Sequence, residues 1–310
     1  MLRAGLHAFN RRGVLVLAIG VFAGLALPEL AAACRPLLPA AVAGLLFLAL
    51  LRVDWVELGL HFSRPGLNAV LAAWLLLASP LLIWLAVSAL GVDAGLATAL
   101  VLMAACPPII SGPAMALLLG LNAPLILVMV VVATLAAPFT LLLVSASFTD
   151  LVLELAPSTL SLRLGALIGG CFVMALLVRR ALGRERLARW REPLDGASLV
   201  LLLLFAVAIM HGVADLVVSD APGVLRLVLA AFAANVALQL AGIPVALARG
   251  RQASLTVAYA TGNRNMGLLL AVLPGEVPGE TLVFFALAQF PIYILPALLE
   301  PFYRKWLRAV

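Results

Sequence analysis

Ten runs of apolar residues, each long enough to cross a lipid bilayer, dominate this sequence of 310 residues. Because backbone polar groups in lipid must be satisfied within the protein, each run predicts a membrane helix of about 20 residues. The chain is 65% hydrophobic and only 11% charged, so it has too few polar side chains to cover a soluble domain. The predicted spans are 13–33, 36–52, 66–90, 94–120, 122–148, 159–180, 196–218, 222–248, 252–274 and 279–303.

Basic and acidic connections alternate between these runs. Arginine and lysine collect in cytoplasmic loops, and every second connection of this chain is rich in them, above all the stretch 179–191. The remaining connections are mainly acidic, with Arg35 as an exception. The pattern predicts cytoplasmic termini and a multi-pass protein of the bacterial inner membrane. It also excludes nucleic acid as a partner despite the net charge of +6, because the positive charge follows the loops.

The basic stretch 179–195 is the expected cytoplasmic linker near the middle of the chain, and the ten spans form two halves of five, 1–148 and 149–310, with the sixth span leading into this linker. An odd number of spans per half places the halves in opposite orientations, as in the inverted repeats of many secondary transporters. The segments 113–120 and 264–271 are similar in sequence and lie at the same place in the fourth span of each half. We therefore predict an all-α membrane protein of ten transmembrane helices arranged as two inverted repeats.

The two fourth spans are also broken near their middle. Pro107 and Pro108 interrupt the first, and Gly262 with its polar neighbours interrupts the second. Proline lacks a backbone donor and glycine permits unusual dihedral angles, so both spans should unwind there and present half-helix N-termini that favour an anion. Two kinked helices without a cavity would be the alternative. The candidate substrate-binding residues are Ser111, Gly112, Pro113, Thr261, Asn263, Arg264 and Asn265.

Arg264 is the most informative of these residues, because a cation near the bilayer centre costs about 2.5–3.5 kcal/mol on insertion scales. The predicted spans offer no acidic residue at that depth to neutralise it. Its expected partners are carbonyl groups at the ends of the broken half-helices, the side-chain amides of Asn263 and Asn265, and an anionic substrate. The alternative is that Arg264 only pins the two broken helices to each other.

Several motifs together resemble the bile acid:sodium symporter family. They are the sequences ACPP at 105–108, SGPAM at 111–115, AAP at 136–138 and GNRNMGL at 262–268. The resemblance implies a secondary transporter of organic anions, with a core domain from spans 3–5 and 8–10 and a panel domain from spans 1, 2, 6 and 7. It also implies that the substrate binds between core and panel during alternating access.

The sodium ligands of that family are where this chain departs from it. Sodium-coupled members place Ser-Asn after the first break, hydroxyl groups on the next span, and Glu with Gln at the second break. The matching positions here are Gly112 with Pro113, Ile126 with Val130, and Ala260 with Arg264. A hard cation needs several oxygen ligands, so we expect no sodium coupling, no bound metal and no cofactor. Our hypothesis is that the Arg264 guanidinium takes the place of a sodium ion.

Three other functions are alternatives to organic anion transport. Cys106 lies near the place where arsenite permeases use a thiolate, so an arsenite efflux carrier is one alternative. A passive anion channel is another. An intramembrane enzyme is not expected, because no aspartate pair, Ser and His pair or zinc-binding His-Glu-x-x-His helix lies in the spans.

Overall fold

The computed structural model describes residues 16, 19–53, 65–147, 156–273 and 279–308, except for the side chain of Arg184. All regular structure in these ranges is helical. The helices are α1 (19–26), α2 (Pro28–Cys34), α3 (Leu38–Arg52), α4 (Pro65–Ala73), α5 (Ser79–Ala89), α6 (Ala94–Ala105), α7 (Gly112–Leu119), α8 (Ala123–Ser147), α9 (Pro157–Arg189), α10 (Arg191–Ala208), α11 (Val213–Ser219), α12 (Ala221–Gly242), α13 (Arg251–Gly262), α14 (Gly267–Val272), α15 (Gly279–Leu287) and α16 (Gln289–Arg308).

Seven helical segments of the described ranges are long and apolar enough to cross a membrane. They cover 28–52, 65–89, 123–147, 157–183, 191–219, 221–249 and 279–307. The prediction of an all-helical, multi-pass membrane protein is thereby confirmed at this coarser level.

Three other predicted spans are not among these seven segments. The fourth is divided into α6 and α7, of 12 and 8 residues, and the ninth into α13 and α14, of 12 and 6 residues. The first, predicted at 13–33, begins largely outside the described residues. Because a crossing needs about 20 residues, none of these four half-helices is long enough to span the bilayer by itself. The count of ten and the inverted repeat remain predictions.

Two boundaries differ from the sequence-based expectation. Between 19 and 52, the non-helical residue is Leu27, whereas the connection was expected at 34–35. Arg35–Leu37 instead form a turn of 3₁₀ helix, because Pro36 and Pro39 both fall in first helical turns, where proline is tolerated. The seventh span, expected to be continuous, is interrupted at 209–212, where Gly212 adopts a φ of +78°.

The helices pack in two groups that share the broken spans between them. In the first group, α3 packs against α9 and α10. In the second, α12 packs against α13, and α15 packs against α6. Helix α14, the second half of the ninth span, contacts α3, so the broken spans lie where the two groups meet. Whether these groups move as core and panel domains remains a prediction.

Gly262 permits the closest approach between α12 and α13. A Cβ atom at this position would lie 2.4 Å from Cγ of Gln239 and 2.7 Å from the carbonyl oxygen of Asn235. Both distances are shorter than real side chains tolerate, so the packing of α12 against α13 depends on the absence of a side chain at Gly262.

We therefore predict that Gly262→Ala lowers the free energy of unfolding in detergent by about 1–3 kcal/mol, the usual cost of overpacking. The matched control is Gly170→Ala, because nothing lies within 4 Å of a Cβ atom there and helix propensity alone applies. Equal stability of the two variants, measured by chemical denaturation, would contradict the close approach.

Candidate functional site

The two broken spans meet through a short antiparallel backbone contact. The amide of Ile109 donates to the carbonyl of Asn263 at 3.0 Å, and the amide of Asn265 donates to the carbonyl of Pro107 at 2.8 Å. The two bonds flank Pro108 and Arg264, which face each other as an antiparallel bridge. Extended backbone in a membrane interior must find partners inside the protein, and here each broken span supplies those of the other.

The local sequence explains why the spans unwind at this point. Helix α6 ends at Ala105, directly before Cys106, Pro107 and Pro108. Neither proline can donate a backbone hydrogen bond, so the carbonyls one turn earlier lose their helical partners. The carbonyl of Cys106 is left facing the crossing. Helix α13 ends at Gly262, and the carbonyl of Thr261 in its last turn is left there as well.

Arg264 fills this crossing and is only 1% exposed. Its Nε donates to the carbonyl of Thr261 at 2.5 Å, and its Nη1 donates to the carbonyls of Cys106 at 3.0 Å and Leu75 at 2.9 Å. Its Nη2 donates to Oγ of Ser79 at 2.7 Å. A guanidinium has five N–H donors, so these contacts occupy four of them.

A wide helical turn in the third span provides the Leu75 carbonyl. Residues Trp74–Ala78 form a π-helical turn in which the amide of Ser79 donates to the carbonyl of Trp74. Pro80 has no amide hydrogen, so the Leu75 carbonyl has no backbone donor at the next position. Oγ of Ser79 and the Arg264 guanidinium donate to it instead, at 2.7 and 2.9 Å.

The partners of Arg264 are all neutral, namely three carbonyls and one hydroxyl. Two of the carbonyls, those of Cys106 and Thr261, belong to the C-terminal ends of α6 and α13, where the helix dipole places negative partial charge. Carbonyls were the first of the partners expected from sequence. The side-chain amides of Asn263 and Asn265 do not bond to the guanidinium.

A cavity of about 330 Å³ lies between the crossing and the first group of helices. One wall is formed by Val42, Leu45 and Ala49 of α3 together with Leu202 and Phe205 of α10. The opposite wall is formed by residues 109–111, 114–115 and 264–267 of the broken spans, with Gln289 and Tyr293 of α16. The lining is mainly apolar with a few polar groups, which is the usual character of a small-molecule site.

The predicted site residues divide into two groups relative to this cavity. Ser111 and Asn265 line it, and Arg264 forms part of its inner boundary while remaining buried. Thr261 and Asn263 are fully buried behind the crossing, where Thr261 Oγ1 accepts from Trp74 Nε1 at 3.0 Å. Gly112 and Pro113 begin α7 without lining the cavity. Pro107, Pro108 and Gly262 form the crossing itself, as predicted for helix-breaking residues.

The positions that match the family's sodium ligands are apolar and closely packed. Ile126 and Ala260 are fully buried, and Val130 is nearly so. A Cβ atom on Gly112 would lie 2.9 Å from Cδ1 of Ile126. The described part of the chain has no group of three or more His, Cys, Asp or Glu residues that could hold a metal ion.

A buried polar network behind the crossing was not identified from the sequence. Asn235 and Gln239 lie one turn apart on α12 and bond to each other at 2.6 Å. The Asn235 amide also donates to the carbonyl of Gly262 at 2.9 Å, and the Tyr303 hydroxyl donates to Gln239. The sequence feature that could have indicated this network is a pair of amide side chains four residues apart in a mainly apolar span. Buried polar groups in membranes need partners.

The Cys106 thiol lies outside the cavity. It is 2% exposed, and its Sγ donates to the carbonyl of Leu102 at 3.2 Å. Only the backbone carbonyl of Cys106 contributes to the crossing, through Arg264.

Comparison with known proteins identifies the family at this point. The profile of the sodium bile acid symporter family matches residues 18–220, more than half of the chain. The chain belongs to the sodium bile acid symporter family. Members of this family are transporters, which is consistent with a non-enzymatic protein. The match ends before the second broken span, so it does not include Arg264. A search of curated proteins found no significant match.

Arg264→Leu tests the structural part of this arrangement. Removing the guanidinium leaves the carbonyls of Cys106 and Thr261 without these donors, and each unsatisfied buried group costs about 1–3 kcal/mol. We predict a loss of about 2–4 kcal/mol in the free energy of unfolding, measured by chemical denaturation in detergent. Arg264→Lys keeps the charge but loses the planar fork, so its free energy of unfolding should lie between those of the wild type and Arg264→Leu. A Leu variant as stable as the wild type would show that the crossing does not depend on the guanidinium.

Proposed function

We propose that this protein is a secondary transporter of small organic anions that alternates access between a core and a panel domain. The observation that carries the proposal is the position of the 330 Å³ cavity between the crossing of the broken spans and the helices α3 and α10. Family membership supports a transporter of this general kind. We further propose ten spans in two inverted repeats, in the bacterial inner membrane with both termini cytoplasmic, on the grounds of the loop charges.

The volume of the cavity differs between the two ends of the interface that the crossing forms with α3 and α10. The large cavity extends to Arg52 and Ser198, at the end of the helices that the loop charges place in the cytoplasm. Towards the other end, a pocket of only about 30 Å³ is lined by Arg35, His211 and mainly apolar residues such as Leu38 and Leu282. That volume holds about one water molecule. We infer that the structure represents a state in which the pathway is open towards the cytoplasm and closed towards the outside.

We also propose that transport is not coupled to sodium. Ile126, Val130 and Ala260 offer no side-chain oxygen at the positions of the family's sodium ligands. The Arg264 guanidinium already supplies a positive charge at the crossing and is bound by four oxygen atoms. A second cation beside it would be repelled, because two like charges in a medium of low dielectric interact strongly.

The two remaining alternatives differ in what the cavity lining offers. An arsenite carrier that uses Cys106 is less well supported, because the thiol is buried outside the cavity. A passive channel would need a continuous wide path, whereas the pocket at 38, 209, 270 and 282 has room for only about one water molecule. Saturable uptake with counterflow would favour the carrier, and linear flux would favour the channel.

Uptake into proteoliposomes tests the proposed function directly. We expect radiolabelled naphthalene-2-sulfonate to accumulate in a saturable manner, with the same initial rate under an inward sodium gradient and under an equal potassium gradient. The physical reason is that the apolar packing around Gly112 leaves no sodium site to load. Strong stimulation by sodium would refute the absence of coupling, and a lack of any saturable uptake would refute the transport proposal.

A second experiment asks whether the guanidinium replaces a bound cation. In Arg264→Ala, the oxygens of Leu75, Ser79, Cys106 and Thr261 remain around the vacated space. Four oxygens match the hard ligands that sodium prefers, so sodium should stabilise this variant, by about 1.4 kcal/mol at ten times its dissociation constant. The measurement is the melting temperature in sodium chloride against choline chloride at equal ionic strength. The wild type is the control, and an identical sodium effect on both proteins would contradict the replacement.

A further inference from the structure

The span formed by α9 is the least buried of the seven long apolar segments. Only 17% of its most apolar stretch is buried inside the protein, whereas the share is between 33% and 61% in the other six. Large apolar side chains on its second half are exposed, among them Val173 and Leu177, at 54% and 57%. Such a side of a membrane helix packs against lipid acyl chains or against another chain.

A run of arginines follows directly on this exposed apolar side. Arg180 lies three residues after Leu177 and is exposed, so it continues the same side of α9 at the level where the apolar residues end. From 179 to 192 the sequence contains six arginines and two glutamates, a net charge of +4. Basic clusters next to a membrane helix attract the headgroups of anionic phospholipids.

The helix is interrupted at Gly183, shortly after Arg180. The φ of +72° and ψ of 165° at Gly183 are not helical, and residues 184–189 form a separate short helix before α10 begins at Arg191. At 1.5 Å per residue, this short helix is only about 9 Å long. Because both of its ends continue into membrane-crossing helices, the segment lies at the membrane surface.

One side of the short helix has the composition of an interfacial segment. Arg186, Arg189 and Trp190 are spaced i, i+3 and i+4, so their side chains lie on the same side. The amide of Trp190 donates to the carbonyl of Arg186 at 3.0 Å, which extends the last turn to the tryptophan. All three residues are exposed, and Trp190 is 56% exposed. Tryptophan is enriched in the headgroup layer, where one part of its ring is apolar and another polar.

Arginines in a cytoplasmic connection could serve only to set the orientation of the chain during insertion. That role needs positive charge but no particular arrangement, and the connection at 249–251 fits it, with two exposed arginines and no aromatic residue. The segment 180–190 differs, because its exposed arginines adjoin an exposed apolar side of α9 and an exposed tryptophan. An acyl chain and a headgroup can therefore be bound together there.

We propose that Arg180, Arg186 and Arg189 bind the phosphate groups of anionic phospholipids. The Trp190 ring then lies in the headgroup layer, and acyl chains lie along the exposed apolar side of α9. This inference does not depend on the proposed transport function. Because α9 and α10 both pack against α3, the bound lipids hold the first group of helices at a fixed depth in the bilayer.

Quenching of Trp190 fluorescence measures which lipid lies beside this segment. The full-length protein is reconstituted into dioleoylphosphatidylcholine vesicles that contain a small fraction of lipid with a doxyl quencher on acyl carbon 5. The quencher is carried either by phosphatidylglycerol or by phosphatidylcholine, and the signal of Trp190→Phe is subtracted. We expect phosphatidylglycerol to be preferred about fivefold, the contribution of one arginine near an anionic surface. High salt should lower the preference, because it screens exposed charges.

The triple variant Arg180→Gln/Arg186→Gln/Arg189→Gln should lower this preference to about one, because it removes the charges that attract the headgroup. Quenching by labelled phosphatidylcholine should stay unaltered, which would show that Trp190 still lies at the membrane. A wild-type preference of about one, or a preference that the triple variant retains, would overturn the proposal. Quenching by neither lipid would also overturn it and would indicate that another chain covers this side of α9.

A matched control removes three exposed arginines from the second group of helices. The variant Arg249→Gln/Arg251→Gln/Arg304→Gln changes the net charge by the same amount, and all three residues are exposed. It should leave the lipid preference at Trp190 unchanged. An equal loss in this control would show that the preference comes from the total charge of the protein, and the specific role of the three arginines would then be wrong.

Discussion

The need to satisfy backbone carbonyls inside a membrane controls the arrangement of this protein around Arg264. Two spans are broken by Pro107 with Pro108 and by Gly262, and a third is widened before Pro80. Each of these interruptions frees carbonyl groups that cannot bond to water at that depth. The Arg264 guanidinium donates hydrogen bonds to such carbonyls on three spans. Its positive charge is balanced by the negative ends of helix dipoles rather than by a carboxylate. The cation and the helix breaks therefore depend on each other.

The helix breaks were predictable because their chemistry is local. A Pro-Pro pair or a glycine among polar residues interrupts a span wherever the rest of the chain lies. For Arg264, the sequence predicts the type of partner, backbone carbonyls, but not which carbonyls. The Leu75 carbonyl lies 189 residues away and becomes available only through a wide helical turn. Thr261 and Asn263 adjoin Arg264 in sequence, yet both are buried and do not line the cavity. An unwound segment has no fixed helical face, so neighbours there can point to opposite sides, as Asn263 and Asn265 do.

A second cluster of charges joins the ends of three helices, α6, α12 and α15. Arg226, at the start of α12, pairs with Asp93 at 2.8 Å and with Glu280 in the first turn of α15. Asp93 also caps α6 by accepting from the amide of Leu96 at 3.1 Å. Exposed ion pairs contribute little each, but a shared cation that links three helix ends restricts their relative motion. Together with Arg264 and the amides of α12, this cluster favours movement of the second group of helices as one body.

A cation that is covalently part of the chain has a thermodynamic consequence for transport. A ligand shifts a conformational equilibrium only through its different affinities for the two states, and binding couples to a gradient only if the ion can leave. Sodium can dissociate and thereby transmit its gradient, whereas the Arg264 guanidinium provides its charge in every state and transmits none. The proposed carrier would then follow the gradient of its own anionic substrate, or the membrane potential that acts on the charge it carries. On the proposed replacement of sodium by Arg264, the crossing would retain the family's architecture without sodium as an energy source.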